Sequence, residues 1–129
     1  MAYEIIWKPG GVIRRYFGHV TAHELSGSVT KMQGDSRFDD LRYVINDFQG
    51  STGLMVSTSE IDEIAAIEGA AAISNRDIRI AMVATTPEAI ALAHHYSSSP
   101  LIVHPIRIFG SLDGAHTWLG LPPAREAYA

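Results

Sequence analysis

The stretch VINDFQGSTGLMVSTSEI, residues 44–61, changes from strand-like to helix-like sequence along its length. Its beginning is rich in branched and aromatic residues, which favour β-structure, so we predict a strand over residues 41–48. Its end holds Ser57 with Glu60 three residues later, the capping-box spacing that marks a helix start. Between them lies DFQGST, whose Asp, Gly, Ser and Thr are typical of a loop. The stretch is therefore predicted to be a strand–loop–helix joint.

Strands and helices alternate along the rest of the chain. Two short apolar runs around the KPGG turn, residues 8–11, predict an antiparallel hairpin that ends at Gly18. The full predicted order is β-β-α-β-α-β-α-β-α, with a core over residues 3–119 and a tail over residues 120–129. Alternating strands and helices require crossover connections, so we expect an α/β fold with a mixed, mostly parallel sheet of about five strands and four helices. We expect one domain over residues 1–129. Three further helices begin at the caps Thr21, Thr86 and Ser111.

The composition argues against several classes of function. The chain of 129 residues has a net charge of −4 and no cysteine, which excludes disulfides, iron–sulfur clusters and cysteine nucleophiles. Lys and Arg are scattered, so a nucleic-acid partner is not expected. The sequence has neither an apolar run of membrane-spanning length nor the apolar core of a signal peptide. We therefore expect a cytoplasmic protein with no membrane span.

No familiar catalytic or cofactor motif is present. A phosphate-binding loop of Walker spacing, a dinucleotide fingerprint and a nucleophile elbow are all missing. The histidines lack the spacing and the companion ligands of a zinc site, and we predict surface positions for most of them. We therefore expect a protein that is not an enzyme and that binds no cofactor and no metal. The histidines are His19, His23, His94, His95, His104 and His116.

A candidate site lies at the carboxyl ends of the strands, where open α/β sheets bind ligands. Asp47 ends the third predicted strand. Its carboxylate could accept a hydrogen bond from the next loop, hold a cation or act as a base, or it could simply brace the loop. Three loops there lead into helix N-termini, which favour anions, although helices need hydroxyl caps whether or not anything binds. The hydroxyls of this candidate anion or ligand crevice belong to Ser57, Thr85, Thr86 and Ser111.

An Asp at the end of a strand, followed by Ser-Thr-Gly-Leu before a helix, resembles the STAS domain. STAS domains include the bacterial anti-sigma-factor antagonists, in which a serine of an Asp-Ser-Ser-Gly-Leu type motif is phosphorylated by an anti-sigma kinase. The resemblance covers residues 3–119 and is closest to divergent stand-alone bacterial members. It implies a regulatory protein-interaction module with a regulator or kinase-like partner. It also implies a phosphoacceptor or binding loop formed by Asp47, Ser51, Thr52 and Gly53.

Two alternatives stay open alongside this interpretation. The alternative structure for Ser51, Thr52 and Gly53 is a plain turn, in which Gly53 would take a positive φ. The alternative function is binding of a small ligand or a lipid in the crevice.

The small-residue helix over residues 65–73 favours a close contact between two copies of the chain. Ile67 and Ile73 on this helix are hard to bury on the same helix face as Ile61 and Ile64. We therefore predict a homodimer.

Overall fold

A computed structural model describes residues 2–126 and 128 of the chain. The end of the predicted tail, Ala127 and Ala129, lies outside the described residues. Short 3₁₀ helices cover Ser36–Asp40 and Ala124–Glu126. The strands and α-helices are β1 (Tyr3–Lys8), β2 (Gly11–Thr21), α1 (Ala22–Gln33), β3 (Tyr43–Met55), α2 (Thr58–Ala71), β4 (Arg79–Val83), α3 (Pro87–Ser97), β5 (Ile106–Phe109) and α4 (Leu112–Leu119).

The strands form one sheet in the order β1-β2-β3-β4-β5. The β1–β2 hairpin is antiparallel, and the other three pairings are parallel. The parallel strands are joined by α1, α2 and α3, as crossover connections require. The predicted α/β architecture and element order are therefore confirmed.

The helix starts follow the predicted capping chemistry. Thr21 and Ser57 each accept a hydrogen bond from a backbone N–H, and Glu24 and Glu60 complete the two capping boxes. Thr86 caps α3 in the same way, and Ser111 caps α4. These local bonds satisfy N–H groups that have no partner inside the helix. Within the described residues, no helix combines the length and the apolar character needed to cross a membrane.

The predicted ends of β2 and β3 were wrong, because both strands run further. β2 passes through Gly18, which takes a φ of +66° beside a shift in register, and continues to Thr21. β3 continues from Phe48 to Met55 through the whole of the predicted loop. Residues 17–21 of β2 pair in parallel with residues 50–55 of β3, so the backbone groups of each strand satisfy those of the other.

The helices cover the two faces of the sheet unequally. Side chains alternate along β2, so Val12 and Tyr16 join the apolar cluster packed on one face by α1, α2 and α3. Ile13, from the same strand, joins the smaller cluster under α4 on the other face. We call these the α1–α3 face and the α4 face. The six buried members of the α4-face cluster are Ile13, Ile45, Ala81, Val83, Ala115 and Leu119.

Candidate functional site

The longer β2 and β3 form a two-stranded projection at the carboxyl end of the sheet. β4 pairs with β3 only as far as Asp47, whose partner is Val83. Beyond that point β3 pairs with β2 alone, and we call residues 17–21 and 50–55 the β2–β3 arm. The arm is linked to α3 because the Leu54 N–H donates to the Glu88 carboxylate over 3.1 Å. The predicted binding loop is therefore strand, held on one side by β2.

Asp47 lies buried at the base of the arm, on the α4 side of the sheet. Its Oδ1 accepts from the backbone N–H of Gln49 over 3.0 Å and from the Gln49 side chain over 3.2 Å. Its Oδ2 accepts from the hydroxyl of Tyr128 in the C-terminal tail. The Arg15 guanidinium stacks over the Tyr128 ring at 4.5 Å. Asp47 therefore braces the start of the arm and anchors the tail.

The tail contact affects the chemistry of Tyr128. Burial and the hydrogen bond to Asp47 both raise the pKa of the Tyr128 hydroxyl well above its usual value. The hydroxyl therefore stays protonated and keeps donating to the carboxylate across the physiological pH range. The carboxylate that the sequence placed beside a ligand crevice is instead covered by a side chain from the end of the same chain.

The predicted phosphoacceptor residues point in different directions along β3. Ser51 is buried, and its hydroxyl donates to the Phe48 carbonyl over 2.7 Å. Thr52 follows it and is exposed, as the alternation of a strand requires. The expected positive φ at Gly53 was wrong, because the described glycines with positive φ are Gly10, Gly18 and Gly120. A side chain at position 53 would meet the His19 ring, which packs against this strand.

The hydroxyls of the predicted crevice do not converge on one pocket. Ser57, Thr85, Thr86 and Ser111 are all exposed. Three of them serve as helix caps, accepting from backbone N–H groups at 3.1–3.2 Å. Ser111 lines a surface recess with Gln49 and the tail, whereas the other three lie outside that recess. Small-ligand binding at the strand ends remains a prediction.

Four of the six histidines are exposed or half-buried, in line with the prediction of surface positions for most of them, and the other two are buried. His104 is buried and bonds the Asn75 carbonyl over 2.7 Å. His116 is buried under the tail and bonds the Pro122 carbonyl over 2.7 Å. Both rings are held by backbone carbonyls, 29 residues away for His104 and six residues away for His116, that sequence spacing does not reveal. In the part of the chain that the structure describes, no group of three His, Asp or Glu residues could hold a metal ion.

The sequence analysis missed a buried polar network on the α1–α3 face. Arg14 of β2 donates to Asn46 Oδ1 over 2.8 Å, to Ser28 Oγ over 3.5 Å and to Glu68 Oε1 over 2.8 Å. The Ser28 hydroxyl also bonds the Tyr16 hydroxyl over 2.6 Å. The side chains of Arg14 and Glu68 are only 3% and 7% exposed, so this is an ion pair inside the core. Burial raises the pKa of Tyr16, which therefore stays neutral beside the pair.

Two signals in the sequence could have found this network. In VIRRYF, Arg14 alternates with Val12 and Tyr16, so it shares their inward face. In α2, Glu68 lies at the helical spacing i+4 and i+7 from Ile64 and Ile61, which are both buried. A charged residue at a core position of each element indicates a buried pair. Their pairing across 54 residues of sequence needed the tertiary structure.

The fold can be compared with solved structures. No family model matches the chain, and no curated protein sequence matches it either. The anti-sigma factor antagonist SpoIIAA in its unphosphorylated form aligns with 92% of this chain and 98% of its own, at a TM-score of 0.61 and 11% identity. The Bacillus cell fate determinant SpoIIAA in its phosphorylated form aligns with 91% of this chain and 99% of its own, at a TM-score of 0.56 and 11% identity. The fold is STAS-like.

A third structure extends the likeness beyond the sigma-factor antagonists. An uncharacterised Shewanella loihica protein with a SpoIIAA-like fold aligns with 92% of this chain and 92% of its own, at a TM-score of 0.53 and 13% identity. The STAS-like fold expected from Asp47 and the Ser-Thr-Gly-Leu segment is thus confirmed. At these identities the likeness concerns the fold alone, so a function for the STAS-like chain must be argued from its own residues.

Proposed function

We propose that the STAS-like chain is a cytoplasmic, non-enzymatic regulatory module that binds a protein partner through the β2–β3 arm. The observation that carries the proposal is the projection of the arm beyond β4. Among the described residues, residues 50–55 have a strand neighbour on the β2 side only. A strand edge of this kind can pair with an extended segment of another protein. The SpoIIAA fold, found in named anti-sigma factor antagonists, supports a regulatory role.

Exposed apolar side chains on the arm support this docking role. Phe17 of β2 is 40% exposed and Met55 of β3 is 68% exposed. A single exposed apolar side chain is common on protein surfaces. Two on the same projection, however, provide apolar surface area that a partner can bury. Backbone pairing at the edge would supply orientation, and these two side chains would supply apolar contact.

We propose Thr52 as the residue that a partner kinase modifies. It is exposed on the arm, whereas the Ser51 hydroxyl would first have to leave its buried bond to the Phe48 carbonyl. A phosphate adds nearly two negative charges, so it would change the charge of the docking surface where the partner binds. SpoIIAA has been solved in a phosphorylated form, which supports a switch of this kind on the same fold.

Site-specific photo-crosslinking in host cells tests the docking surface. A photoreactive residue at Met55 should crosslink a defined second protein, because Met55 lies on the arm. The matched control is Ile73, which is 84% exposed and lies beyond the end of α2. The same partner captured from Ile73 alone would contradict docking at the arm. A crosslink between two copies at Ile73 would instead support the predicted homodimer.

Phosphopeptide mapping of the protein isolated from its host tests the switch. We expect phosphate on Thr52 and none on Ser51, and we expect Thr52→Ala to abolish the modification. Ser51→Ala serves as the control, since it should leave phosphorylation at Thr52 intact. Phosphate on Ser51 would contradict the assignment and would mean that the arm opens in the presence of the kinase.

A further inference from the structure

A cavity of about 40 Å³ lies on the α1–α3 face, between the sheet and the three helices, and we call it the core cavity. Its walls are mostly apolar side chains from β3, β4 and all three helices. The lining residues with polar side-chain groups are Arg14, Tyr16, Asn46, Glu68 and Tyr96. A second cavity of about 20 Å³ is also lined by Arg14 and Glu68, so the ion pair is in contact with two openings in the packing.

Two of the polar groups in the core cavity lack partners. Glu68 uses Oε1 for Arg14, but Glu68 Oε2 and the Tyr96 hydroxyl are buried with no hydrogen-bond partner among the described residues. Glu68 is 6% exposed and Tyr96 is 4% exposed. A buried polar group without a partner is costly, and most such groups in native proteins are satisfied by protein or by bound molecules. Both residues line the core cavity, so a molecule seated deep in it, in contact with both side chains, would supply the partners that these two atoms lack.

The charges of the site select the kind of head group. Arg14 and Glu68 form a pair with no net charge, so a neutral ligand leaves the site neutral. A ligand hydroxyl can donate to Glu68 Oε2 and accept from the Tyr96 hydroxyl. A carboxylate would instead compete with Glu68 for Arg14 and leave a net negative charge buried in the core, which is strongly unfavourable.

The size and position of the core cavity select the rest of the ligand. Its volume accommodates one to about three water-sized groups, which suffices for a hydroxyl and the carbon atoms next to it. Leu54 and Leu92 are half-buried members of the lining, so the cavity reaches the surface beside them. An apolar chain attached to the hydroxyl would leave the core cavity past these two side chains and cover them.

We propose that the core cavity binds a small apolar molecule with a neutral hydroxyl head group, which bonds Glu68 and Tyr96. This site is separate from the strand-end crevice, and it adjoins the arm at Leu54, so its binding is tested on the protein without a partner. The head group would supply hydrogen-bond partners to the two atoms that have none among the described residues. The role of the Arg14–Glu68 pair is then to line the pocket without net charge, so that the pocket selects neutral head groups over charged ones.

The proposal is tested with 1-hexanol and hexanoate, which share a chain and differ in head group. Binding is followed by methyl NMR shifts of Met82 and Leu92 in the cavity, with Leu119 on the α4 face as an internal control. We expect 1-hexanol to bind at millimolar concentration or below, and at least about tenfold more tightly than hexanoate, because one buried charged or unpaired group costs that much in affinity. Hexanoate binding as tightly as 1-hexanol, or no shift with either probe, would overturn the proposal.

Two variants separate the head-group contacts from general apolar binding. Tyr96→Phe removes the hydroxyl and keeps the ring, so it should weaken 1-hexanol about 2- to 10-fold. Tyr43→Phe, a half-buried tyrosine on the α4 face, is the matched control and should leave the affinity unchanged. Unchanged affinity in Tyr96→Phe would contradict the assignment.

Glu68→Gln tests the charge selection directly. The substitution leaves Arg14 as a single positive charge, so the preference should move from 1-hexanol towards hexanoate. An unchanged preference would show that the ion pair does not set selectivity and would overturn the proposal. Tyr96→Phe keeps the test decisive if Glu68→Gln fails to fold.

Discussion

The two faces of the sheet use alternate residues of the same strands, yet they are built differently. Under α4 the apolar cluster lies beside two buried polar side chains, Asp47 and His116, and His116 Nε2 has no hydrogen-bond partner among the described residues. Under α1, α2 and α3 the core includes an ion pair, two cavities and two unpaired polar atoms. The α4 face, by contrast, holds no buried ion pair among the described residues. Since apolar replacements of buried ion pairs are often neutral or stabilising, the polar network on the other face is better explained by specificity or ligand binding than by stability.

The largest effect should come from removing one member of the ion pair. Glu68→Ala leaves Arg14 buried without a counter-charge, so we expect a loss of about 3–5 kcal/mol in the free energy of unfolding. Urea denaturation measures this loss of stability. Glu63 is an exposed residue of the same helix, and Glu63→Ala is the control, whose free energy of unfolding should lie within about 0.5 kcal/mol of wild type. The double variant Arg14→Met, Glu68→Leu should recover most of the loss. A single-variant loss below about 1 kcal/mol would mean that water reaches Arg14 through the cavities.

A smaller effect is expected on the α4 face. Leu119→Ala removes a buried α4 side chain that is 7% exposed. We expect a loss of about 2–3 kcal/mol, towards the low end for buried leucines because a single terminal helix can shift to fill the space. Urea denaturation again measures the loss. Leu101 is half-exposed, and Leu101→Ala is the control. A loss larger than that of Glu68→Ala would reverse the comparison between the faces.

The network around the ion pair can be probed at a neutral member. Ser28→Ala leaves the buried Tyr16 hydroxyl without its 2.6 Å partner, so we expect a loss of about 1–3 kcal/mol. Tyr16→Phe in the same background should restore much of this stability, because it removes the unpaired group. If the double variant is as unstable as Ser28→Ala, lost packing and not the hydroxyl pair accounts for the change.

The smallest effect concerns a surface pair at the rim of the α1–α3 face. Hydrogen bonds from the Arg37 side chain and backbone lower the pKa of Asp35 from 3.8 to about 2. Because the folded-state pKa is the lower one, the stabilisation is fully present above about pH 4 and is lost as the pH falls through 2. Asp35→Asn should therefore lower the urea midpoint slightly at pH 7 and by less at pH 2, where about half of the folded-state Asp35 carboxyl groups are protonated. An equal difference at both pH values would exclude a charge effect.

Local chemistry explains which structural predictions succeeded. The capping boxes at Thr21 and Ser57 and the Pro at the start of α3 each act within one turn of helix, so a few residues of sequence contain the whole interaction. The end of β3 was predicted wrongly because its neighbour decides it. Ser51, Thr52 and Gly53 have loop-like composition, but β2 supplies them with a pairing partner.

The candidate site was predictable in position but not in accessibility. Asp47 does not end its strand, because β3 continues to Met55, but it does lie where the pairing of β3 with β4 stops. Its partner Tyr128 is 81 residues away, and the bond between them covers the carboxylate. The fate of the Ser51 and Thr52 hydroxyls follows from strand alternation, which becomes visible only once the segment is known to be strand.

By itself, the sequence determined the order of the elements, the helix starts and the alternation of apolar residues that makes an α/β sheet, because each depends on contacts within a few residues. Only the tertiary structure decided the length of the β2–β3 arm, the Arg14–Glu68 pair and the core cavity. Each of these joins groups that are distant in sequence. Their pairing depends on strand register and helix packing, so no local pattern records it.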